Sequence, residues 1–152
     1  MYKKITLIAS FAVLIDQIIK FVVYNYLTNV TLIPNFLSLV YAENEGVAFS
    51  MLSGSRMFII LISIILLGIL IYMLSKEKVE KNEKVTILSY GLLIGGILGN
   101  LIDRIIRGVV IDYVSLNIFG YPFPIFNLAD LFITAGVILI VIKTIKDDKK
   151  HS

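Results

Sequence analysis

An α-helical membrane protein is the expected architecture of this chain: a four-transmembrane-helix bundle with a small extracytoplasmic β-cradle. Hydrophobic residues fill 58% of its 152 positions and the mean hydropathy is +0.91, against about 45–50% apolar residues in a typical soluble domain. Four apolar stretches can each cross a hydrocarbon core of about 30 Å, which takes roughly 20 helical residues. Two intervening segments instead combine β-branched and aromatic residues with turn formers, the signature of short strands. The length suits a single integral membrane domain covering 1–152.

The first span covers residues 5–24 and follows Lys3-Lys4, as a cleavable signal peptide would. Asp16, Gln17 and Lys20 interrupt its apolar run and no small-residue cleavage site follows, so a retained helix is expected. Residues 32–41 are rich in strand formers, and Asn44-Glu45-Gly46 is a turn signal ahead of Val47-Ala48-Phe49. An extracytoplasmic β segment is therefore expected over about 30–50. The second span covers 57–75 and the third 85–106. Gly91, Gly95 and Gly99 form a small-xxx-small stripe on the third, which suits close helix packing in lipid. Gly108 should end that helix, and 109–114 reads as another strand, carrying Asp112. Pro122 and Pro124 break the chain before a fourth span over 125–145, whose first turns hold Asn127 and Asp130 on one face.

Basic residues set the orientation. Lys3 and Lys4, the cluster Lys76, Lys78, Lys81 and Lys84, and the tail lysines Lys143, Lys146, Lys149 and Lys150 fall on one side of the four spans. By the positive-inside rule that side is cytoplasmic. Both termini and the loop between the second and third spans then face inward, and 25–56 and 107–124 face outward. Since the formal charge of +3 gathers beside apolar segments, it reads as topology and not as a nucleic-acid surface.

Several chemistries are excluded. The absence of cysteine removes disulfides, thiolate metal sites and a thiol nucleophile. The single histidine, His151, stands in a charged tail, so no histidine can activate a serine within a span and no His-Glu-x-x-His zinc motif exists. No metal and no cofactor is expected.

A serine–lysine dyad is formally open, with Lys20 the only lysine in a span, and the remaining common solution is water activated by carboxylates. An Asp at the centre of a membrane helix costs roughly 2.5–3.5 kcal/mol, so Asp16, Asp103, Asp112 and Asp130 together approach about 10 kcal/mol. That rivals the roughly 5–15 kcal/mol net stability of a domain. Asp16 and Lys20, four residues apart, read as a structural ion pair, with Asp16 deeper in the first helix than the other three carboxylates. Asn100, Asp103 and Arg104 form a second polar cluster, in which Arg104 can offer its rigid donor fork to a carboxylate. Asp112 and Asp130 stand at the outer ends of their elements. Two carboxyls brought together there would share a proton, giving one general base and one general acid. A polar packing network or an ion site would use the same residues. A small proton- or ion-coupled transporter and a non-enzymatic assembly factor are the alternatives from other classes.

The ordered motifs narrow the choice. Asp16-Gln17-x-x-Lys20, Asn44-x-Gly46-x-Ala48-Phe49, Gly99-Asn100-x-x-Asp103-Arg104, Val110-x-Asp112-Tyr113 and Phe126-Asn127-x-Ala129-Asp130 follow one another across nearly the whole chain. In these the sequence resembles the bacterial lipoprotein signal peptidases, or signal peptidase II family. The resemblance implies an aspartic endopeptidase of the bacterial cytoplasmic membrane, active near its outer face. Its substrates would be diacylglyceryl-modified prolipoproteins, cut immediately before the lipidated cysteine. It also implies that Asp112 and Asp130 are catalytic and that Asn100, Arg104 and Asn127 support them. Asn44 and Gly46 would lie near substrate, and Asp16 and Lys20 would be mainly structural. Expected partners are the lipidated substrates and membrane lipids; a monomer is expected.

Overall fold

The computed structural model describes residues 1–46, 54–77 and 83–151, with the backbone alone at 83 and 147–151. Val47-Ala48-Phe49 and the loop lysines Lys78 and Lys81 lie outside the described residues. Four helices run over α1 (Tyr2–Tyr26), α2 (Arg56–Lys76), α3 (Glu83–Ile106) and α4 (Leu128–His151). All four contain stretches long and apolar enough to cross a membrane.

The first three begin and end close to the expected limits. The fourth starts three residues later than 125, because the chain there is still part of a sheet. Phe126 donates its N–H to Val114 at 3.1 Å and accepts from Val114 at 2.8 Å. Ile125 and Phe126 continue the apolar run, so hydropathy alone does not register this boundary.

The sheet comprises β1 (Val30–Ile33), β2 (Leu37–Asn44), β3 (Val110–Ile118) and β4 (Tyr121–Pro122), antiparallel throughout in the order β1-β2-β3-β4. The run of strand formers over 32–41 is folded into a hairpin about Asn35, whose φ of 58° reverses the chain. A second tight turn uses Phe119 (φ 52°) and Gly120 (φ 86°), the paired positive angles of a type I′ hairpin. The sheet sits on the end of α1 through a cluster of Val23, Ile111 and Tyr113, with Ile19, Leu27 and Leu39 packed around it.

α3 is the axis of the bundle. Some 61% of its apolar window is buried, against 11% in α2 and 11% in α4, so the latter two turn most of their surface outward. Glycines bring the neighbours close. A Cβ on Gly91 would lie 2.7 Å from the Ile8 side chain, and one on Gly95 would lie 2.7 Å from the Ala12 Cβ, so both fit α3 to α1. The fit to α4 depends on Gly96, outside the expected stripe: its Cβ would meet the Ala129 carbonyl oxygen at 2.5 Å. α2 rests mainly on α3 and hardly touches α4. At the sheet end, Arg56 donates to the carbonyls of Arg104 (2.8 Å) and Ile105 (2.9 Å), placing a cation at the negative C-terminus of α3.

Candidate active site

Asn127 and Asp130 start α4 with a reciprocal cap. The Asn127 side-chain oxygen accepts the Asp130 N–H at 3.0 Å, and an Asp130 carboxylate oxygen accepts the Asn127 N–H at 3.1 Å. Two otherwise unpaired helix N–H groups are satisfied, as in a capping box. The local sequence thus forces Asp130 to point back toward the sheet. There Asn127 Nδ2 donates to Asp112 Oδ1 at 2.6 Å. One asparagine therefore connects both aspartates.

The remaining carboxylate oxygens are held separately. Asp112 Oδ2 accepts from Asn44 Nδ2 at 2.9 Å, and Asp130 Oδ1 accepts from Asn100 Nδ2 at 2.8 Å. Strand pairing positions Asn44, since β2 runs beside β3 with Ala42 opposite Asp112 and Asn44 opposite Val110. Gly46 N–H closes a turn onto the Asn44 side-chain oxygen at 2.9 Å. Asp112 is almost fully buried, and its carboxyl is pushed up to about 6, first by burial. The negative charge of Asp130 adds to the rise, while the bonds from Asn44 and Asn127 oppose it.

Both aspartates line a cavity of about 620 Å³. Its other walls are mostly apolar and include Leu66 of α2, Ile97 of α3, Leu131 of α4, Phe123 and Phe126. Leu66 and Leu131 are each about half exposed, so the cavity opens between α2 and α4.

Behind this lies a buried set of charges. Lys20 is inaccessible, and its ammonium has three oxygen partners: Asp16 and Asp103, both at 2.9 Å, and Asn100 Oδ1 at 2.8 Å. That matches the three donors a lysine carries. Asp103 also pairs with Arg107 and accepts the Ile111 N–H at 3.3 Å, fixing the start of β3. Two cations and two carboxylates thereby offset one another, which a buried ion cluster requires. Gln17 joins it by donating to Asp103 at 3.2 Å and to the Gly99 carbonyl at 3.1 Å.

Asp16 also reaches this site: its Oδ1 accepts the Ala129 N–H at 3.1 Å, next to Asp130 at the positive start of α4. One expectation needs correction: among the described residues, Arg104 does not offer its fork to a carboxylate. It donates to the Gly46 carbonyl at 2.7 Å and to the Asn100 carbonyl at 3.3 Å, tying the segment after β2 to α3. The carboxylate goes to Arg107, which stands one helical turn after Asp103. That i, i+4 spacing was the available signal for Arg107, and its place between Asp16 and Lys20 was the signal for Gln17.

Asp16, Lys20, Asn44, Gly46, Asn100, Arg104, Asp112, Asn127 and Asp130 are thus all drawn into one connected network. The sequence profile described as signal peptidase (SPase) II matches residues 8–146. A lipoprotein signal peptidase of Staphylococcus aureus strain JH9 is 42% identical over 144 residues, covering 93% of this chain and 87% of that one. Two solved structures, each described as a bacterial membrane enzyme determined by the in meso method, share the fold. One, at 2.3 Å resolution, superposes with a TM-score of 0.87 at 39% identity, covering 100% of this chain and 93% of the other. The other, at 1.9 Å, gives 0.82 at 41% identity, covering 97% and 95%. With these likenesses along nearly its whole length, this multi-pass membrane protein belongs to the signal peptidase II family of peptidases.

Proposed function

We propose that the chain is an aspartic endopeptidase that removes the signal peptide from diacylglyceryl-modified prolipoproteins, cutting immediately before the lipidated cysteine. The observation that carries this reading is the pair Asp112 and Asp130, joined through Asn127 in a cavity open between α2 and α4. An apolar signal helix can enter such an opening sideways from the bilayer, while its acyl chains stay in lipid.

Asp130, partly accessible at the start of α4, acts as the base and takes a proton from water as its oxygen adds to the scissile carbonyl carbon. Asp112, whose burial favours the protonated form, gives its proton to the carbonyl oxygen. Collapse of the tetrahedral adduct breaks the C–N bond as a proton passes to the leaving cysteine nitrogen. Asn127, Asn100 and Asn44 hold the four carboxylate oxygens, and Arg104 and Gly46 fix the wall around them. Asp16 and Lys20 hold α1 and α3 beneath them.

The same reading makes residues 1–152 a single domain in the bacterial cytoplasmic membrane, with cytoplasmic termini and the dyad near the outer face. The chain then acts as a monomer surrounded by membrane lipid. A coupled transporter would need carboxylates distributed across the bilayer, whereas Asp16, Asp103, Asp112 and Asp130 converge on one network.

The test uses purified wild type, Asp112→Asn, Asp130→Asn and the double variant, with diacylglyceryl-modified prolipoprotein as substrate. Each single variant should bind substrate yet lose cleavage, and the double variant should be little worse, as for groups acting as a unit. Near-normal turnover by either well-folded single variant refutes the dyad. Equal processing of unmodified precursor by wild type refutes the dependence on lipid.

A further inference from the structure

At the end of the bundle away from the sheet, α2 and α4 are joined by an ion pair that the proposed chemistry leaves unused. Glu77, just past the last turn of α2, pairs with Lys143 of α4, and both side chains are largely but not wholly covered. The hydroxyl of Tyr90, a buried residue of α3, also reaches Glu77. At the sheet end, Arg56 ties the start of α2 to α3. Between these ties α2 and α4 are apart, and the cavity holding Asp112 and Asp130 occupies that interval.

The distance has a chemical meaning. Asp130 and Lys143 are thirteen residues apart on α4, or about 20 Å at the helical rise. A signal peptide has an apolar region of about 7–15 residues behind a positively charged segment, which spans roughly 10–22 Å as a helix. A signal helix with its scissile bond at the dyad would therefore bring its basic segment to the level of Glu77.

We propose that Glu77 is a specificity residue that receives the basic amino-terminal segment of the signal peptide, exchanging Lys143 for a substrate lysine or arginine. The inference rests on the peptidase reading above. Lys143 neutralises Glu77 when the opening is empty, and an arriving cation replaces one partner by another without exposing an unpaired carboxylate. The ion pair forms in a partly covered site at the membrane edge, so the discrimination is modest, about three- to fivefold.

The experiment compares purified wild type, Glu77→Gln, Glu77→Lys and Lys143→Gln on two lipidated precursors, one with a lysine-containing amino-terminal segment and one with those lysines changed to glutamine. Wild type should favour the basic precursor about three- to fivefold through KM, with kcat unchanged. Glu77→Gln should process the two alike, and Glu77→Lys should reverse the preference. Lys143→Gln frees Glu77 and should raise the preference for the basic precursor. A merely structural latch would make Lys143→Gln and Glu77→Gln equivalent, and that result overturns the proposal. So does undiminished preference in Glu77→Gln. Failure of wild type to cleave either precursor would instead refute the peptidase reading itself.

Discussion

Lys20 donates to Asn100 Oδ1 over 2.8 Å, and the same asparagine passes its own N–H to Asp130 over 2.8 Å. A lysine on the first helix thus sets the orientation of an amide that holds an aspartate on the fourth. Removing Lys20 has two effects. It strips Asp16 and Asp103 of a shared cation, and breaking a buried pair costs about 3–5 kcal/mol. It also lets the Asn100 amide turn. Lys20→Ala should therefore lower the yield of folded protein and its melting temperature sharply, measured by fluorescence-detected gel filtration and thermal shift. Normally abundant, fully stable but inactive Lys20→Ala protein would show that the pair has no structural role.

Asn127 separates stability from turnover. Its side chain both caps α4 and donates to Asp112. Loss of an N-cap costs about 1 kcal/mol, while displacing a reacting group can cost about 100-fold in rate. Asn127→Ala should lose both. Asn127→Ser should regain the cap and most of the melting temperature but not the turnover, because a hydroxyl is too short to span to Asp112. Full activity in Asn127→Ser would remove the orienting role.

The raised carboxyl of Asp112 makes a signed prediction for pH. Its folded value of about 6 lies above the roughly 3.9 of an unfolded aspartate. The folded state therefore binds the proton more tightly. The stabilisation is fully present below about pH 4 and is lost as pH rises through about 6. If Asp112 supplies the proton in catalysis, kcat/KM should fall on the alkaline side with an apparent value near 6. Bound substrate buries the site further, so the corresponding limb of kcat should lie at higher pH. A kcat/KM profile that still rises between pH 6 and 8 would contradict this assignment.

Helix packing offers a control that leaves the polar groups intact. Gly96→Ala drives a methyl against the Ala129 carbonyl and the Ile133 backbone, next to Asp130. Overpacking of this kind costs about 1–3 kcal/mol, and it should shift α4 enough to reduce turnover at least tenfold. Gly68→Ala has no atom within 4 Å of the new Cβ and should be neutral or slightly stabilising, because alanine is the better helix former. Equal behaviour of the two variants in thermal shift and cleavage assays would show that α3–α4 contact does not set the site.

Legibility in the sequence followed the physics of each residue. Asp112 and Asp130 stood out because charge in an apolar run is costly, and the apolar runs themselves marked the four helices to within a few residues. The expected fourth span opens three residues ahead of α4 because Ile125 and Phe126 are as apolar as the helix they precede. The Asn127-x-x-Asp130 cap carried the better boundary signal. Arg107 was missed because it follows the last helical residue, whereas its partner Asp103 lies one turn back inside the helix. Gly96 was overlooked because the stripe of Gly91, Gly95 and Gly99 points chiefly at α1, and the contact with α4 lies on a different face of the helix.

On the proposed reading, substrate enters the opening between α2 and α4 from within the plane of the lipid, and this bears on how rates should be measured. Encounter takes place in two dimensions, so the concentration that governs it is the mole fraction of substrate among surrounding amphiphiles and not its molarity in the buffer. Adding detergent at fixed enzyme and substrate should slow cleavage by dilution within the micelle phase. Straight-chain detergents able to lodge between Leu66 and Leu131 should also act as competitors for the same entrance. Kinetic constants obtained in one amphiphile will then differ from those in another through partitioning alone, with no change at Asp112 or Asp130.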